Sequence, residues 1–257
     1  MKQLIRFLII AVALINVNAQ TDEKVVDVFK PSQNKSIFSI SGGLLTMKII
    51  GDNPNSAPMI QRDTTKKNII GGGFTQTNSG FTLKLKLDLD QSGNYNIPIG
   101  IEYLYLLTSE RIPISKNVTA MLKNESFLPA LSVGLDYKFY KFKFTDVKAY
   151  LGLDLKTTFV QQGKFHREYR YEALDSNDIT DKNTKSSCTR LGGNIKLGFV
   201  GNLIGNVSIN SFISFGAVNL LLTDDSRGEL LTPTLLTDSK ESIVTTMNFG
   251  LLLEYRF

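Results

Sequence analysis

Residues 81–90 read FTLKLKLDLD, and apolar and polar side chains alternate strictly along them. Successive side chains of a β-strand point to opposite faces, so Phe81 and the leucines share one face while the lysines and aspartates share the other. A helix would repeat every 3.6 residues instead. This stretch therefore predicts a strand with one apolar and one charged face.

The same alternation recurs along most of the chain and predicts an all-β protein. We expect eight strands, over residues 35–49, 81–90, 97–108, 127–140, 146–161, 187–200, 207–222 and 243–257. The pair Gly42-Gly43 interrupts the alternation of the first strand, and we interpret it as a β-bulge.

The connections between these strands alternate strictly in length. Three are short, at residues 91–96, 141–145 and 201–206, and four are long and polar, at residues 50–79, 109–126, 162–186 and 223–242. Tight periplasmic turns and longer outside loops are typical of outer-membrane barrels. The pattern predicts a transmembrane antiparallel up-and-down β-barrel with about eight strands, short periplasmic turns and long extracellular loops.

The polar face favours a membrane barrel over a soluble one. It carries mid-strand glycines, which leave room in a narrow lumen for long neighbours: Gly100, Gly134, Gly152, Gly198, Gly216 and Gly250. It also carries both signs of charge, which we expect to pair across the lumen: Lys84, Lys86, Asp88, Glu102, Asp136, Lys138, Asp154, Lys156, Arg190, Lys196, Glu254 and Arg256. A soluble, lipocalin-like periplasmic carrier, with the apolar face inward, stays open as an alternative.

The N-terminus has the pattern of a cleaved export signal. Lys2 and Arg6 precede a short apolar run at residues 7–15, and we place cleavage after Ala19. The predicted organisation is a signal peptide at residues 1–19, a periplasmic extension at 20–34 and an outer-membrane barrel at 35–257.

The last strand ends in phase on Tyr255 and Phe257. This ending resembles the C-terminal signal of bacterial outer-membrane proteins. Strand number and loop asymmetry resemble the OmpA/OmpX-type barrel class, the outer membrane protein beta-barrel domain group. The resemblance implies the barrel-assembly machinery as a partner that recognises Tyr255 and Phe257. It also implies a location in the bacterial outer membrane, with membrane lipid and lipopolysaccharide around the barrel.

The composition argues against several other classes of protein. Removal of Lys2 and Arg6 lowers the net charge from +5 to +3, without the clustered basic face of a nucleic-acid-binding protein. Cys188 is alone, so the chain forms no internal disulfide. Gly71-Gly72-Gly73 lacks the Gly-Lys-Ser/Thr of a phosphate-binding loop, and the sequence predicts no cofactor and no metal site.

Two groups of polar residues suggest catalytic hypotheses. His166 is the single histidine, and Glu168 with Ser186 or Ser187 could complete a triad of a lipid-modifying enzyme, but no spacing selects the serine. Asp224-Asp225 resembles the acidic pair of outer-membrane proteases, and with Glu229 it could bind a cation. We expect a protein that is not an enzyme, with no catalytic residues.

The connection at 162–186 offers candidate contacts for an extracellular ligand: Phe165, Arg167, Tyr169, Arg170 and Tyr171. Loops on a rigid scaffold often carry function. The leading hypothesis is an integral outer-membrane barrel with a plugged polar lumen and a structural or surface-interaction role, because eight strands leave an interior filled by side chains. A narrow channel for small solutes is the alternative within the same fold.

Overall fold

The computed structural model describes residues 37–59, 71–90, 92–143, 145–233 and 240–257. The predicted signal peptide and periplasmic extension lie outside these ranges. Within them the chain forms ten strands and one short 3-10 helix, Pro54–Ser56. The strands are β1 (Phe38–Ile49), β2 (Asn78–Asp88), β3 (Tyr95–Ser115), β4 (Val118–Lys141), β5 (Val147–Val160), β6 (Lys164–Tyr171), β7 (Ser176–Asn183), β8 (Cys188–Ile204), β9 (Val207–Leu221) and β10 (Thr245–Arg256).

Eight of these strands close into a ring. The order is β3-β2-β1-β10-β9-β8-β5-β4, and β3 pairs with β4 to complete it. Every pairing in the ring is antiparallel. Closure pairs the edges that an open sheet would expose, and it confirms the predicted eight-stranded up-and-down barrel.

The apolar face of the strands lies on the outside of the ring. Phe81, Leu83 and Leu85 are exposed, whereas Thr82, Lys84 and Lys86 between them are buried. This is the surface of a transmembrane barrel, whose apolar band faces lipid and whose interior is polar. The lipocalin-like alternative is wrong, because it requires the opposite orientation of both faces.

Two of the four predicted long loops are largely strand. The connection at 109–126 is a continuation of β3 and β4, which pair up to Ser115 and Val118 around a two-residue turn. The connection at 162–186 contains the hairpin β6–β7, and β6 pairs with the upper part of β4. Their polarity is typical of loops, but these strands extend beyond the apolar band, and on one face Ala120, Leu122 and Asn124 are buried.

The predicted bulge at Gly42-Gly43 is wrong. β1 keeps continuous register with both β2 and β10 through these residues. A Cβ atom on Gly43 would lie 2.2 Å from the carbonyl oxygen of Leu251, so a close approach of two backbones explains this glycine. Register shifts occur elsewhere, including one between Lys138 and Tyr140 and another between Leu191 and Gly193.

Ala149 and Ala217, which alternation places on the outer face, are not exposed. Both are buried, each beside a second buried residue in sequence, Tyr150 and Val218. The register still places Ala149 opposite the exposed Tyr140 and Phe199, and Ala217 on the same face as the exposed Phe215. In the described part of the chain, no helix is long and apolar enough to cross a bilayer.

Candidate functional site

A chain of buried ion pairs crosses the middle of the ring. Nζ of Lys84 lies 3.2 Å from Oε1 of Glu102 and 3.3 Å from Oδ2 of Asp154. Nζ of Lys196 lies 2.8 Å from Asp154 and 2.7 Å from Asp136, and Lys156 pairs with Glu102. The result is an alternating series of three cations and three anions in the order Lys156, Glu102, Lys84, Asp154, Lys196 and Asp136. The charges of this central chain cancel, as buried charges require.

A second group of charges lies towards the end of the ring that carries the short turns, here called the short-turn end. Lys86 pairs with Glu254, which also accepts a 3.2 Å hydrogen bond from Ser39. Arg256 lies 2.9 Å from Asp88. Lys138 donates to the carbonyl oxygen of Gly93 in the β2–β3 turn, at 2.8 Å.

Arg190 does not join these charges, although the sequence grouped it with them. It makes a bidentate pair with Glu241, at 2.7 Å from Nε and 2.6 Å from Nη2. Glu241 also accepts hydrogen bonds from Asn219 and from the amide of Asp224. Residue 241 lies just before β10, so Arg190 fastens a long connection to the ring.

The mid-strand glycines lie directly beneath the interior side chains. A Cβ atom on Gly134 would lie 2.0 Å from Oδ1 of Asp154, and one on Gly152 would lie 2.2 Å from Oδ1 of Asp136. The other four lie close to the side chains of Lys84, Tyr150, Asn194 and Phe212, in the order Gly100, Gly198, Gly216 and Gly250. The expectation that glycine makes room for long neighbours is confirmed.

The interior also contains a buried apolar cluster, which the alternation of the strands does not predict. Interior side chains of the strands form one buried cluster with residues of the long connections. Phe74 and Leu230 are each 1% exposed within it, and Leu231 is buried beside them. Leu104 and Leu106, which break the polar face of β3, belong to the same cluster. These two leucines were the signal in the sequence for this cluster, because apolar side chains on an interior face need apolar partners.

Hydrogen bonds hold the first and the last long connections, at residues 50–79 and 223–242, against each other. Asn55 accepts from the amide of Leu231 at 2.6 Å and donates to Glu229 at 3.4 Å. Glu229 also accepts from the hydroxyl of Ser242 at 2.7 Å. We name residues 53–59, 71–74, 228–232 and 241–244 the inner loop layer.

Three glycines allow the inner loop layer to pack closely. The amides of Gly71, Gly72 and Gly73 donate to carbonyl oxygens of residues 54–59, at 3.2, 2.9 and 2.7 Å. A Cβ atom on Gly72 would lie 2.7 Å from the carbonyl oxygen of Asn55, and Gly73 has φ of +79°. The glycine run therefore serves close backbone packing rather than flexibility.

Lys185 adds a buried cation to the inner loop layer. Its Nζ donates to the carbonyl oxygen of Glu229 at 2.6 Å and to the hydroxyl of Thr232 at 2.7 Å. Burial, with the nearby charge of Arg227, lowers the pKa of Lys185 to about 8. Its bonds to residues 229 and 232 fasten the layer to the segment before β8.

The five candidate ligand contacts of β6 fall on two faces of a projecting sheet. Because directly opposed residues share a face, Phe165, Arg167, Tyr169 and Tyr171 lie on the side of the buried Leu122 and Asn124, and Arg170 lies on the other side. The guanidinium of Arg167 lies 5.0 Å from the ring centroid of Tyr169. The structure therefore does not bring all five together on one surface.

The residues of the hypothetical triad have other partners. Nδ1 of His166 lies 2.6 Å from Oδ1 of Asp181 on β7, not against Glu168. Ser187 accepts a hydrogen bond from the amide of Gln162, and the carbonyl oxygen of Ser186 accepts one from Arg227.

The acidic residues of the last long connection are also separated from one another by their contacts. Asp224 accepts from Ser226, Asp225 lies 3.7 Å from Lys240, and Glu229 belongs to the inner loop layer. Among the described residues, no three metal-ligating side chains form a group that could hold an ion.

Tyr255 and Phe257 lie at the short-turn end of β10. Their rings meet edge to face at 5.3 Å, and both are exposed on the apolar side. The amide of Phe257 donates to the carbonyl oxygen of Phe38, so the end of β10 is joined to the start of β1.

No protein-family model matches this chain, and no curated protein matches it. Solved structures do match. Neisserial surface protein A (NspA) is 12% identical with a TM-score of 0.44, and the alignment covers 86% of this chain and 98% of NspA. Ail, the attachment invasion locus protein of Yersinia pestis, solved with the heparin analogue sucrose octasulfate, is 14% identical with a TM-score of 0.39. That alignment covers 86% of this chain and 97% of Ail. The chain is similar to these small outer-membrane barrels in its fold, a closed ring of eight antiparallel strands.

Proposed function

We propose that the protein is an integral outer-membrane barrel with a closed interior, and that it acts at the cell surface through its projecting strands. The observation that carries this proposal is the orientation of the two faces of the strands, which is the reverse of that in a soluble protein. Apolar side chains lie outside, and a neutral chain of ion pairs lies inside. Such a molecule is stable only where a bilayer covers its exterior.

The interior supports a plug rather than a channel. The central chain from Lys156 to Asp136 occupies the middle, and apolar residues of the inner loop layer pack against interior side chains of the strands. Within the described ring, the cavity lined by Met47, Leu104 and Lys156 has about 20 Å³ of space, about one water molecule.

The upper parts of β3 and β4, together with β6 and β7, form a sheet beyond the apolar band, here called the projecting sheet. We propose that this sheet contacts ligands outside the cell. Its inner face offers aromatic rings beside Arg167, and its other face offers Arg170 and His166 with Asp181. Rigid strands position such groups better than a mobile loop does.

Two measurements test the location and the plug. An outer-membrane fraction run unboiled and boiled in mild detergent should show a heat-dependent change in migration, because a closed barrel resists the detergent until heated. Purified protein in a planar bilayer should show no steady conductance. Recovery in a soluble fraction without a heat shift would contradict the location, and steady conductance would contradict the plug.

The surface role is tested by removing β6 and β7. Gly163 and Thr184 already meet through a 3.0 Å backbone hydrogen bond, so a short turn can replace residues 164–183. The ring should still form and show its heat shift, because β6 and β7 meet the strands of the ring only where β6 pairs with the part of β4 beyond the apolar band. Binding to the surface that the intact protein recognises should be lost. Unchanged binding would assign the surface role to another element.

A further inference from the structure

The β4–β5 connection at the short-turn end combines aromatic and basic side chains more densely than the other turns there. We name Phe139, Tyr140, Lys141, Phe142, Lys143 and Lys148 the basic aromatic turn. Asp146 is the one acidic residue between 139 and 148. The β2–β3 turn instead follows Asp88 and includes Asp90, and the β8–β9 turn at residues 205–206 carries no charge. Among the described residues of these three turns, lysines occur only in the β4–β5 connection.

A bulge turns two consecutive aromatic rings outward at this turn. The pairing of β4 with β5 shifts between Lys138 and Tyr140, so Phe139 has no partner in the register. Phe139 is 46% exposed and Tyr140 50% exposed, although alternation would bury one of them. Bulges re-aim side chains in this way.

The outward rings form a connected group. The ring of Phe142 meets that of Tyr140 edge to face at 5.0 Å, and it lies 6.2 Å from the ring of Phe199 on β8. Exposed aromatic rings at the edge of an apolar band are suited to the interface between lipid tails and headgroups.

Two lysines of the turn lie opposite each other on paired strands. Lys141 and Lys148 are directly opposed in the register, and Lys143 is exposed in the connection. Like charges directly opposite each other on a sheet destabilise it. Asp146 lies 3.1 Å from Lys141. An external anion would stabilise this arrangement, and the long lysine stems can lie along the rings while their ammonium groups reach the headgroup layer.

We propose that the basic aromatic turn binds the phosphate-bearing headgroups of anionic phospholipids in the leaflet at the short-turn end. The inference rests on the proposed function as a membrane barrel and names the lipid class that one side of this barrel selects. Each basic residue near an anionic surface contributes an attraction equivalent to about a fivefold preference.

The absence of tryptophan from the chain allows a single-site reporter. The variant Phe142→Trp places one fluorophore in the turn. Phe38→Trp provides the matched reporter at the same end of the ring on β1, which lies four strands from β5. Each variant is folded into vesicles of equal parts phosphatidylglycerol and phosphatidylcholine, with one lipid or the other brominated near its headgroup. The ratio of the two quenching values measures local lipid preference.

We expect F142W to be quenched preferentially by brominated phosphatidylglycerol, by about fivefold, and F38W to show nearly equal quenching. The double change Lys141→Gln and Lys143→Gln should abolish the preference, whereas Lys141→Arg with Lys143→Arg should keep it. Lys116→Gln with Lys164→Gln, at the opposite end, should leave it unchanged. Raising the salt to about 0.5 M should reduce the preference, because exposed charges are screened.

Equal quenching of F142W by both lipids, or a preference that survives the double glutamine change, would overturn the proposal. The vesicles contain no other protein, so a protein partner cannot produce the signal. Failure of the barrel to insert gives a different result: no heat shift and no quenching of either reporter. That outcome contradicts the proposed function and this inference with it.

Discussion

Nζ of Lys84 on β2 lies 3.3 Å from Oδ2 of Asp154 on β5, although β3 and β4 separate these strands around the ring. The contact therefore crosses the interior rather than following the sheet. Because Lys84 also pairs with Glu102 at 3.2 Å, it is a central link of the buried charge chain.

Replacing Lys84 with Met should strongly destabilise the barrel. Two buried carboxylates would lose a shared cation, and breaking a buried ion pair on one side costs about 3–5 kcal/mol. Denaturant unfolding of the vesicle-inserted protein measures the loss. Lys48→Met, at an exposed position of β1, is the control and should change the free energy of unfolding by less than about 0.5 kcal/mol. A loss below about 1 kcal/mol for Lys84→Met would show that the interior is hydrated enough to replace the lysine.

Gly198→Ala should destabilise the barrel by about 1–3 kcal/mol through overpacking. An added Cβ atom would lie 2.5 Å from the ring of Tyr150, which is buried and hydrogen-bonded to Asn210 at 2.9 Å. Denaturant unfolding should show the loss, and Tyr150→Leu in the same chain should recover part of it. Gly42→Ala is the matched change, because its Cβ atom would meet only the flexible end of Leu83 at 3.3 Å and a backbone oxygen at 3.7 Å. Equal effects at the two glycines would contradict the close packing beneath Tyr150.

Leu230→Ala should loosen the inner loop layer. The side chain is 1% exposed in a cluster shared with the strands, and such truncations cost about 2–5 kcal/mol. Hydrogen exchange of residues 228–232 should accelerate, while the strands keep their protection. Leu174→Ala, at the exposed tip between β6 and β7, should have no such effect. Unchanged exchange would mean that the layer does not depend on this apolar contact.

The attachment of the inner loop layer through Glu241 should weaken in acid. Burial raises the pKa of Glu241, but hydrogen bonds from Arg190, the amide of Asp224 and Asn219 outweigh it and hold the pKa below its ordinary value of 4.5. A carboxyl whose pKa is lowered on folding stabilises the folded state above its unfolded pKa, and this contribution is lost as the pH falls through the folded value. Hydrogen exchange near residues 241–244, corrected for its intrinsic pH dependence, should therefore rise below about pH 4.5.

Glu241→Gln is the control for this pH dependence. The amide preserves the shape but not the charge, so exchange near residues 241–244 should already be faster at pH 7. It should then change little with acid. A variant with the same acid response as the native chain would assign that response to another carboxyl group.

Much of the barrel follows from the sequence alone, because strand alternation is a local property. The pattern of residues 81–90 identifies the outer and inner faces without knowledge of any neighbour. The alternating connection lengths indicate how successive strands are joined, and the six glycines mark where the interior is crowded. Polarity alone, however, did not separate the hairpin β6–β7 or the upper parts of β3 and β4 from loops, since both faces of these strands lie beyond the apolar band.

Only the tertiary structure decided which groups meet. Lys84 and Asp154 are 70 residues apart and pair because ring closure brings β2 opposite β5. Arg190 reaches Glu241, 51 residues away, because the last long connection folds back over the ring. Leu230 and Phe74 lie in connections that are polar on average, yet they belong to the buried apolar cluster of the interior. The alternation of a strand depends only on neighbouring residues. The partner of a buried charge or leucine depends on how distant parts of the chain fold together, which no local sequence pattern specifies.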